Sequence, residues 1–178
     1  MTGLLGGTFD PPHNGHLALA KAALSQLPID RLLVLVAERP GHRDVVADAE
    51  TRLKLAQAAF EGLEVELDPH PFTVDTVRDG RYDDAVFVVG ADQAAALDRW
   101  REPEEVLKHV KLGVGTRSGY PEPELERRYG DRVIPFQLAS PPISSSDVRA
   151  RVARGEPIDD LVPPAVARLI EAEGLYRR

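Results

Sequence analysis

The chain has 178 residues, of which 43% are hydrophobic and 29% are charged, and its formal net charge is −7 at pH 7. This length suits a sizeable hydrophobic core, and we expect residues 1–178 to form a single domain. The acidic balance argues against a general affinity for nucleic acid or anionic membranes. The lack of cysteine excludes disulfides, thiolate chemistry and zinc–sulfur sites.

The first residues do not have the pattern of a secretory leader. Met1 to Leu5 contain neither a basic region nor a long apolar segment. Uninterrupted apolar runs elsewhere in the chain fall short of the ~20 residues that a membrane helix needs. We therefore expect a cytoplasmic protein that does not bind membranes.

Short apolar segments alternate with helical patterns along the chain. Strands are predicted at residues 4–5, 32–36, 63–67, 85–89, 110–114 and 133–136. Helices are predicted at residues 15–27, 48–60, 73–79, 91–98, 103–109, 145–154 and 163–173. This order predicts an α/β fold, a Rossmann-like, doubly wound parallel sheet flanked by helices, with a small helical part at about 143–178.

Hydrophobic patterning also suggests where individual strands lie in the sheet. The nearly continuous apolar runs 32–36 and 85–89 are typical of strands covered on both faces. The 63–67 segment alternates polar and apolar residues, which favours an edge strand. The Pro- and Gly-rich segment 118–123 is interpreted as a loop inside the domain, because no shift in composition accompanies it.

The segment 4–16 is the most informative part of the sequence. An apolar stub leads into Gly6 and Gly7, a proline-bearing turn, and His13 and His16 at the start of a helical pattern. Helix N-termini have unpaired N–H groups and the positive end of the dipole, and they therefore favour phosphate. Two histidines on one side of a first helical turn could stabilise the charge of a phosphoryl group in transfer. This segment predicts a nucleotide-binding enzyme.

Other interpretations of this segment remain open. The two histidines could be solvent-exposed cap residues, or a metal-binding pair, although H-x-x-H without a clear third ligand is weak evidence for zinc. Gly6 and Gly7 would allow another group to approach the backbone closely, or would allow a positive φ. For Asp10 we expect a structural role, as a local cap or as a hydrogen-bond acceptor for the loop.

A second polar cluster lies at residues 143–149. Ser144 and Asp147 have the spacing of a capping box, with aspartate in place of the usual Glu or Gln. The capped terminus would present hydroxyls, amides and Arg149 on one side, a set that can hold a pyrophosphate. Two helix starts of this kind in one chain are much more specific evidence for a nucleotide enzyme than either motif alone.

Together these two segments resemble the nucleotidyltransferase superfamily, which has an (H/T)xGH loop and a late ISSTxxR signature. Within it, the chain is most similar to the bacterial nicotinate-nucleotide adenylyltransferases. The similarity extends to residues 39–43, which resemble a Pro-Pro-His-Lys loop, and to residues 72–76, which resemble a Tyr-Thr-x-Asp-Thr turn. It further includes residues 90–92, Trp100 and the tail 161–176, so that it spans residues 3–177.

The resemblance implies a reaction. ATP and nicotinate mononucleotide would give nicotinate adenine dinucleotide and pyrophosphate in NAD biosynthesis, by direct in-line attack without a covalent intermediate. Mg²⁺ would be held through the substrate phosphates and not by a protein metal site. Neither nucleic acid nor membranes are expected as partners. The sequence leaves the oligomeric state open, with a homo-oligomer as one option.

The resemblance also implies site residues by position. The implied catalytic residues are His13, His16, Arg43 and Arg149. The implied ATP-binding residues are Gly6, Gly7, Thr8, Phe9, His13, Gly15, His16, Gly90, Asp92, Ile143, Ser144, Ser145, Ser146 and Arg149. The implied mononucleotide-binding residues are Gly7, Thr8, His42, Arg43, Phe72, Thr73, Thr76 and Trp100.

At the pyridine end, Thr73 could start a helix and leave the amides of residues around 73–76 for a carboxylate. Trp100 would stack on the pyridine ring, and a core position is the alternative for this tryptophan. The chain departs from the family pattern at Arg43, where lysine is usual, and at Phe72, which lacks a tyrosine hydroxyl. Gly41 and Ser146 likewise stand where proline and threonine are usual.

Three competing functions remain at this stage. Pantetheine-phosphate adenylyltransferases share the chemistry, but they generally have threonine at the position of His13 and lack the contexts of Trp100 and residues 73–76. Cytidylyltransferases share the HxGH loop and would prefer CTP. A non-catalytic nucleotide-binding regulator on the same fold would more typically have lost the histidines or Arg149.

Overall fold

The computed structural model describes residues 1–41, 44–116 and 123–177. Six strands form the sheet: β1 (Thr2–Gly7), β2 (Arg31–Ala37), β3 (Glu64–Asp68), β4 (Val86–Gly90), β5 (Lys111–Thr116) and β6 (Val133–Gln137). The α-helices of the described ranges are α1 (Asn14–Gln26), α2 (Ala49–Ala59), α3 (Thr73–Arg78), α4 (Ala91–Ala95), α5 (Pro103–His109), α6 (Pro123–Tyr129), α7 (Ser145–Ala153) and α8 (Pro164–Ala172).

The sheet is parallel throughout and has the strand order β3-β2-β1-β4-β5-β6. The chain therefore reverses its direction of winding between β1 and β4, and this reversal creates a crevice at their carboxyl ends. The predicted α/β, doubly wound fold is confirmed, and β3 is an edge strand as its alternating pattern suggested.

Successive residues of the inner strands point to opposite faces of the sheet. Val34 and Val36 belong to one hydrophobic cluster, whereas Leu33 and Leu35 belong to the other. Because both clusters are buried, these strands need apolar residues at every position, which explains their continuous hydrophobic runs. Residues from α7 and α8, among them Val148 and Val166, complete the first cluster.

Most predicted elements agree with the structure to within a few residues, with two exceptions. The helix predicted over 91–98 is divided into α4 and a 3₁₀ turn at Leu97–Arg99. The loop predicted at 118–123 partly lies outside the described residues, and its last residue, Pro123, begins α6, a helix that the sequence analysis missed. Proline favours the first turn of a helix, since its missing N–H has no intrahelical partner there.

Within residues 1–41, 44–116 and 123–177, no helix is long and apolar enough to cross a membrane.

Candidate active site

The loop between β1 and α1, residues 8–13, is shaped by aromatic packing against glycine. Phe9 is buried and has a positive φ of 50°. Its ring covers Gly7, where an added Cβ would lie 2.9 Å from Phe9 Cζ, and a Cβ on Gly6 would lie 2.8 Å from Phe87 Cζ. The two glycines therefore serve close approach, while the strained backbone belongs to Phe9. Since the Phe9 side chain is buried, only its backbone is available to a nucleotide.

The two histidines at the start of α1 are stacked on each other. Their ring centroids are 3.7 Å apart, with 25° between the ring planes. The backbone N–H of His13 donates to Nδ1 of His16 at 3.1 Å. Nδ1 of His16 is therefore an acceptor, which places the proton of the neutral ring on Nε2, where it can be donated. Gly15 makes room for this pair, because a Cβ there would lie 3.0 Å from the His13 ring.

His13 is buried, with only 7% of its surface exposed. Burial lowers the pKa of His13 to about 4, and the negative charge of Asp147 opposes this shift only in part. Within the described residues, Nδ1 of His13 has no hydrogen-bond partner. A buried polar atom without a partner is costly, so an anionic ligand that it could contact would be favoured here. His13 is the N-cap residue of α1, so the cap alternative holds for it, but it is buried and not solvent-exposed.

The metal-pair interpretation finds no support in the part of the chain that the structure describes. No group of three or more His, Cys, Asp or Glu side chains there could hold a metal ion. Zinc in proteins is almost always bound by three or four protein ligands.

The buried His13 should make folding stability depend on pH. The pKa of His13 is about 4 in the folded protein and 6.5 in its ordinary state, so the unfolded chain takes up the proton first. Stability is therefore fully present above pH 6.5 and falls as the pH drops towards 4, by about 2–3 kcal/mol at pH 4.5. Urea unfolding of the parent protein at pH 7 and at pH 4.5 should show this drop in the free energy of unfolding. The drop between the same two pH values should be about 2–3 kcal/mol smaller in His13→Asn, which lacks the titrating group. An equal loss in both proteins would contradict the assignment to His13.

The α7 helix begins against the β1–α1 loop. The predicted capping box is confirmed, because Asp147 N–H donates to Ser144 Oγ and Ser144 N–H donates to Asp147 Oδ2, each at 3.1 Å. Ser145 Oγ donates to the carbonyl of Pro11 at 2.8 Å, and Arg149 Nη1 donates to the carbonyl of Asp10 at 2.6 Å. The two phosphate-binding motifs of the sequence analysis are thus in direct contact.

Two further residues of this second motif differ in what they can offer a ligand. Ser146 is exposed and lies 3.3 Å from Arg149 Nη2 through its hydroxyl. Ile143 packs its side chain against the hydrophobic core and donates its amide to the carbonyl of Pro141. If Ile143 contacts a nucleotide, it does so through its carbonyl.

A cavity of about 720 Å³ lies at the carboxyl ends of the inner strands. Eight of the predicted binding residues line it: Gly6, Gly7, Thr8, Phe72, Thr73, Thr76, Asp92 and Trp100. Gly90, His13, His16 and the α7 residues do not line it. The predicted site residues His42 and Arg43 lie outside the described residues.

Aromatic rings form much of the cavity wall. Trp100 is half-buried and meets the Phe87 ring edge-on, with the centroids 6.1 Å apart. The guanidinium of Arg101 lies over the Phe72 ring at 4.9 Å. Trp100 packs against the second hydrophobic cluster and also lines the cavity, so it is partly a core residue, and its stacking on a pyridine ring stays a prediction.

The start of α3 offers fewer free donors than the sequence suggested. The amides of Asp75 and Thr76 donate to the carbonyl of Phe72, and Val74 is completely buried, whereas Thr73 lines the cavity, so the amide of Thr73 is the one nearest to a ligand there. The Thr76 side chain is almost fully buried, and its hydroxyl donates to Asp68 Oδ2 at 2.6 Å. Thr76 therefore shapes the cavity wall, and its proton is not directed at a substrate.

Comparison with known proteins was made for the whole chain. The family model for cytidylyltransferase-like proteins matches residues 4–151. A probable nicotinate-nucleotide adenylyltransferase of Bordetella avium is 37% identical over 98% of this chain and 97% of the relative. The probable nicotinate-nucleotide adenylyltransferase of Thermus thermophilus is 38% identical, with 98% of each chain covered. The chain belongs to the nicotinate-nucleotide adenylyltransferase family.

Solved structures agree with this fold. The Plasmodium falciparum nicotinic acid mononucleotide adenylyltransferase complexed with NaAD superposes with a TM-score of 0.79, over 99% of this chain and 97% of that chain. The two sequences are 17% identical, so this similarity shows the fold alone.

One residue that positions the site in this family member was not predicted. Arg52 of α2 is completely buried and donates to four backbone carbonyls, those of Thr8, Ala37, Glu38 and Ala47. It thereby joins the loops that follow β1 and β2. A signal was present in the sequence, since Arg52 shares the buried register of Leu55, Ala56 and Ala59 on one helix face.

Asp10 has the structural role expected for it, but with distant partners. Its carboxylate accepts hydrogen bonds from the amide of Val46 at 2.6 Å, the amide of Ala47 at 3.2 Å and the hydroxyl of Tyr176 at 2.7 Å. The β1–α1 loop is thus held by α2, by α7 and by the segment that follows α8. Other cavity residues that were not predicted are Asp68, His70, Gln93, Arg99 and Arg101.

Proposed function

We propose that the chain transfers the adenylyl group of ATP to nicotinate mononucleotide, which gives nicotinate adenine dinucleotide and pyrophosphate. One observation carries the proposal: the β1–α1 segment borders two different sites. Its beginning, Gly6 to Thr8, lines the aromatic cavity, and its end contacts α7 next to the histidine pair. A reaction that joins two nucleotides needs two such sites beside one loop. The names of the relatives support the same activity.

In this proposal, ATP binds with its phosphates between the starts of α1 and α7. Ser145, Ser146 and Arg149 hold the β- and γ-phosphates, and Ser144 caps the helix that presents them. Arg149 has five N–H donors, of which only some contact Asp10 and Ser146, so others remain for phosphate oxygens. Gly90 and Asp92 bind on the adenosine side, since β4 ends and α4 begins there.

The chemistry is a direct displacement at the α-phosphorus. A phosphate oxygen of the mononucleotide forms the new P–O bond while the bond to the β-phosphate breaks and pyrophosphate leaves. His16 donates from Nε2 to the α-phosphate oxygen on which charge develops, because its Nδ1 is occupied as an acceptor. His13 lies beside it and offers Nδ1 to the same phosphate. Arg43 is included as a further catalytic residue by resemblance alone.

Mg²⁺ fits this site only in company with the substrates. The described residues offer no carboxylate cluster, and Mg²⁺ commonly binds through phosphate oxygens and water. Held in that way, it would neutralise part of the triphosphate charge.

The mononucleotide binds in the aromatic cavity, with its pyridine ring against Trp100 and Phe72. The amide of Thr73 binds its carboxylate, and His42 and Arg43 are assigned to it by resemblance. The proposal further describes residues 1–178 as one cytoplasmic domain whose partners are these two nucleotides. The shared hydrophobic cluster of β1, α7 and α8 supports the single domain.

Pyrophosphate release with ATP and Mg²⁺ tests the function. Nicotinate mononucleotide, nicotinamide mononucleotide and phosphopantetheine are compared as acceptors, and CTP is compared with ATP as donor. We expect turnover with ATP and a clear preference for the nicotinate form. Activity with phosphopantetheine alone, a preference for CTP, or ATP binding without pyrophosphate release would each refute the proposal.

A further inference from the structure

A histidine that neither motif includes lies in the cavity wall. His70 follows β3 and lines the cavity together with Asp68, Phe72 and Trp100. Its backbone N–H and its Nδ1 both bond to Asp68 Oδ1, at 3.1 and 2.9 Å. Asp68 is itself buried and accepts the Thr76 hydroxyl through its other oxygen. The carboxylate therefore fixes the orientation of the His70 ring from below the cavity surface.

This arrangement determines which ring nitrogen is available to a ligand. An ionised carboxylate can only accept hydrogen bonds, so Nδ1 of His70 must carry the proton that it shares with Asp68. The remaining ring nitrogen, Nε2, has no hydrogen-bond partner among residues 1–41, 44–116 and 123–177. With both ring nitrogens protonated, Nε2–H would donate to a ligand with a negative group, and the Asp68 carboxylate would balance the charge of the ring.

Two arginines offer positive charge to an anion in this cavity. Arg99 and Arg101 line it together with the acidic Asp68 and Asp92, and Arg101 lies over the Phe72 ring with an Asp75 carboxylate oxygen 3.9 Å from its guanidinium. The loop with His70 is fixed in place, because the carbonyl of Pro71 accepts the amide of Gly41 at 3.0 Å. The carboxylate of Asp68, which also lines the cavity, accepts three hydrogen bonds, and these donors offset part of its negative charge.

We propose that His70, oriented by Asp68, is a specificity-determining residue that donates from Nε2 to the carboxylate of the pyridine ring. The inference rests on the proposed function and deepens it, since it assigns a residue to the choice of the acid over the amide. The positive charge of a protonated His70 attracts an ionised carboxylate, whereas a neutral carboxamide has no opposite charge, so His70 favours the nicotinate form.

Binding can be measured without turnover, because Trp100 is the only tryptophan of the chain and lines the cavity. Its fluorescence is titrated with nicotinate mononucleotide and nicotinamide mononucleotide in the absence of ATP. The test variant is His70→Asn, whose amide can still bond Asp68 but has no group at the position of Nε2. We expect its Kd for the acid to rise about tenfold, while its Kd for the amide changes less than twofold.

His109→Asn is the matched control. Its side chain is 29% exposed, as is that of His70, and it also lies near carboxylates, but it does not line the cavity. It should keep both Kd values. His70→Gln, which returns an amide donor near the position of Nε2, should recover part of the loss.

The outcomes separate the two proposals. If the parent protein neither binds nor turns over pyridine mononucleotides, the proposed function fails and this inference fails with it. If the parent prefers the acid and His70→Asn keeps the same ratio of Kd values, or weakens both ligands equally, only the role of His70 is overturned. A thermal unfolding curve for each variant identifies a general loss of structure. If His70→Asn has lost its structure, the Kd values of His70→Gln decide whether His70 distinguishes the acid from the amide.

Discussion

Replacing His16 with alanine should lower kcat by about a hundredfold or more, with a much smaller effect on the KM for ATP. The reason is that Nε2 of His16 is the donor proposed for the α-phosphate in the transition state, and loss of one such donor costs about 10²–10³ in rate. Initial rates of pyrophosphate release over a range of ATP concentrations measure both constants. A rise in KM at constant kcat would make His16 a binding residue instead.

A second substitution separates catalysis from helix capping. His16 also accepts the backbone N–H of His13, so alanine removes a structural bond together with the donor. His16→Asn restores an acceptor close to the position of Nδ1 and still lacks a group at Nε2. If His16→Asn is as slow as His16→Ala, the lost Nε2 donor explains the lower kcat. If His16→Asn regains the parent rate, the lost hydrogen bond to the His13 amide explains it.

Replacing Arg52 with methionine should lower the free energy of unfolding by about 3–5 kcal/mol. Methionine fills much of the volume, but it leaves four carbonyls of buried or half-buried residues without their donor, and such groups cost about this much when they lose a charged partner. Urea unfolding of the two proteins measures the difference. Arg52→Lys should recover little of the loss, because a single ammonium cannot reproduce the fork of a guanidinium.

Lys54→Met on the same helix is the control for the Arg52 variants. Its side chain is 61% exposed, and its ion pair with Glu173 is long, at 3.9 Å. We expect a change of less than about 0.5 kcal/mol. Should Arg52→Met be as stable as Lys54→Met, the four hydrogen bonds of Arg52 would make no net contribution to folding.

Local patterns were sufficient to predict the sheet and the placement of the two motifs. Continuous apolar runs report burial on both faces, and the alternation at 63–67 reports the edge position of β3, because both follow from strand geometry alone. The start of α1 at Asn14 and the capping box at Ser144 were predictable for the same reason, since caps depend on residues within one turn.

Contacts between distant segments could not be predicted in this way. Asp10 and Tyr176 are 166 positions apart, and nothing in either local sequence selects the other as its partner. The use of the Thr76 hydroxyl by Asp68, and the orientation of His70 by the same carboxylate, likewise depend on how β3 and α3 pack together. Local sequence reports the face that an element buries, whereas partner choice is decided by tertiary packing.

The β1–α1 segment borders the cavity at one end and the histidine pair at the other, and this has a consequence for ligand affinity. If a bound nucleotide shifts this segment, the surroundings of both sites change, and the two binding free energies are then linked. Thermodynamic linkage requires any such coupling to be reciprocal. If bound mononucleotide tightens ATP binding by some factor, bound ATP must tighten mononucleotide binding by the same factor.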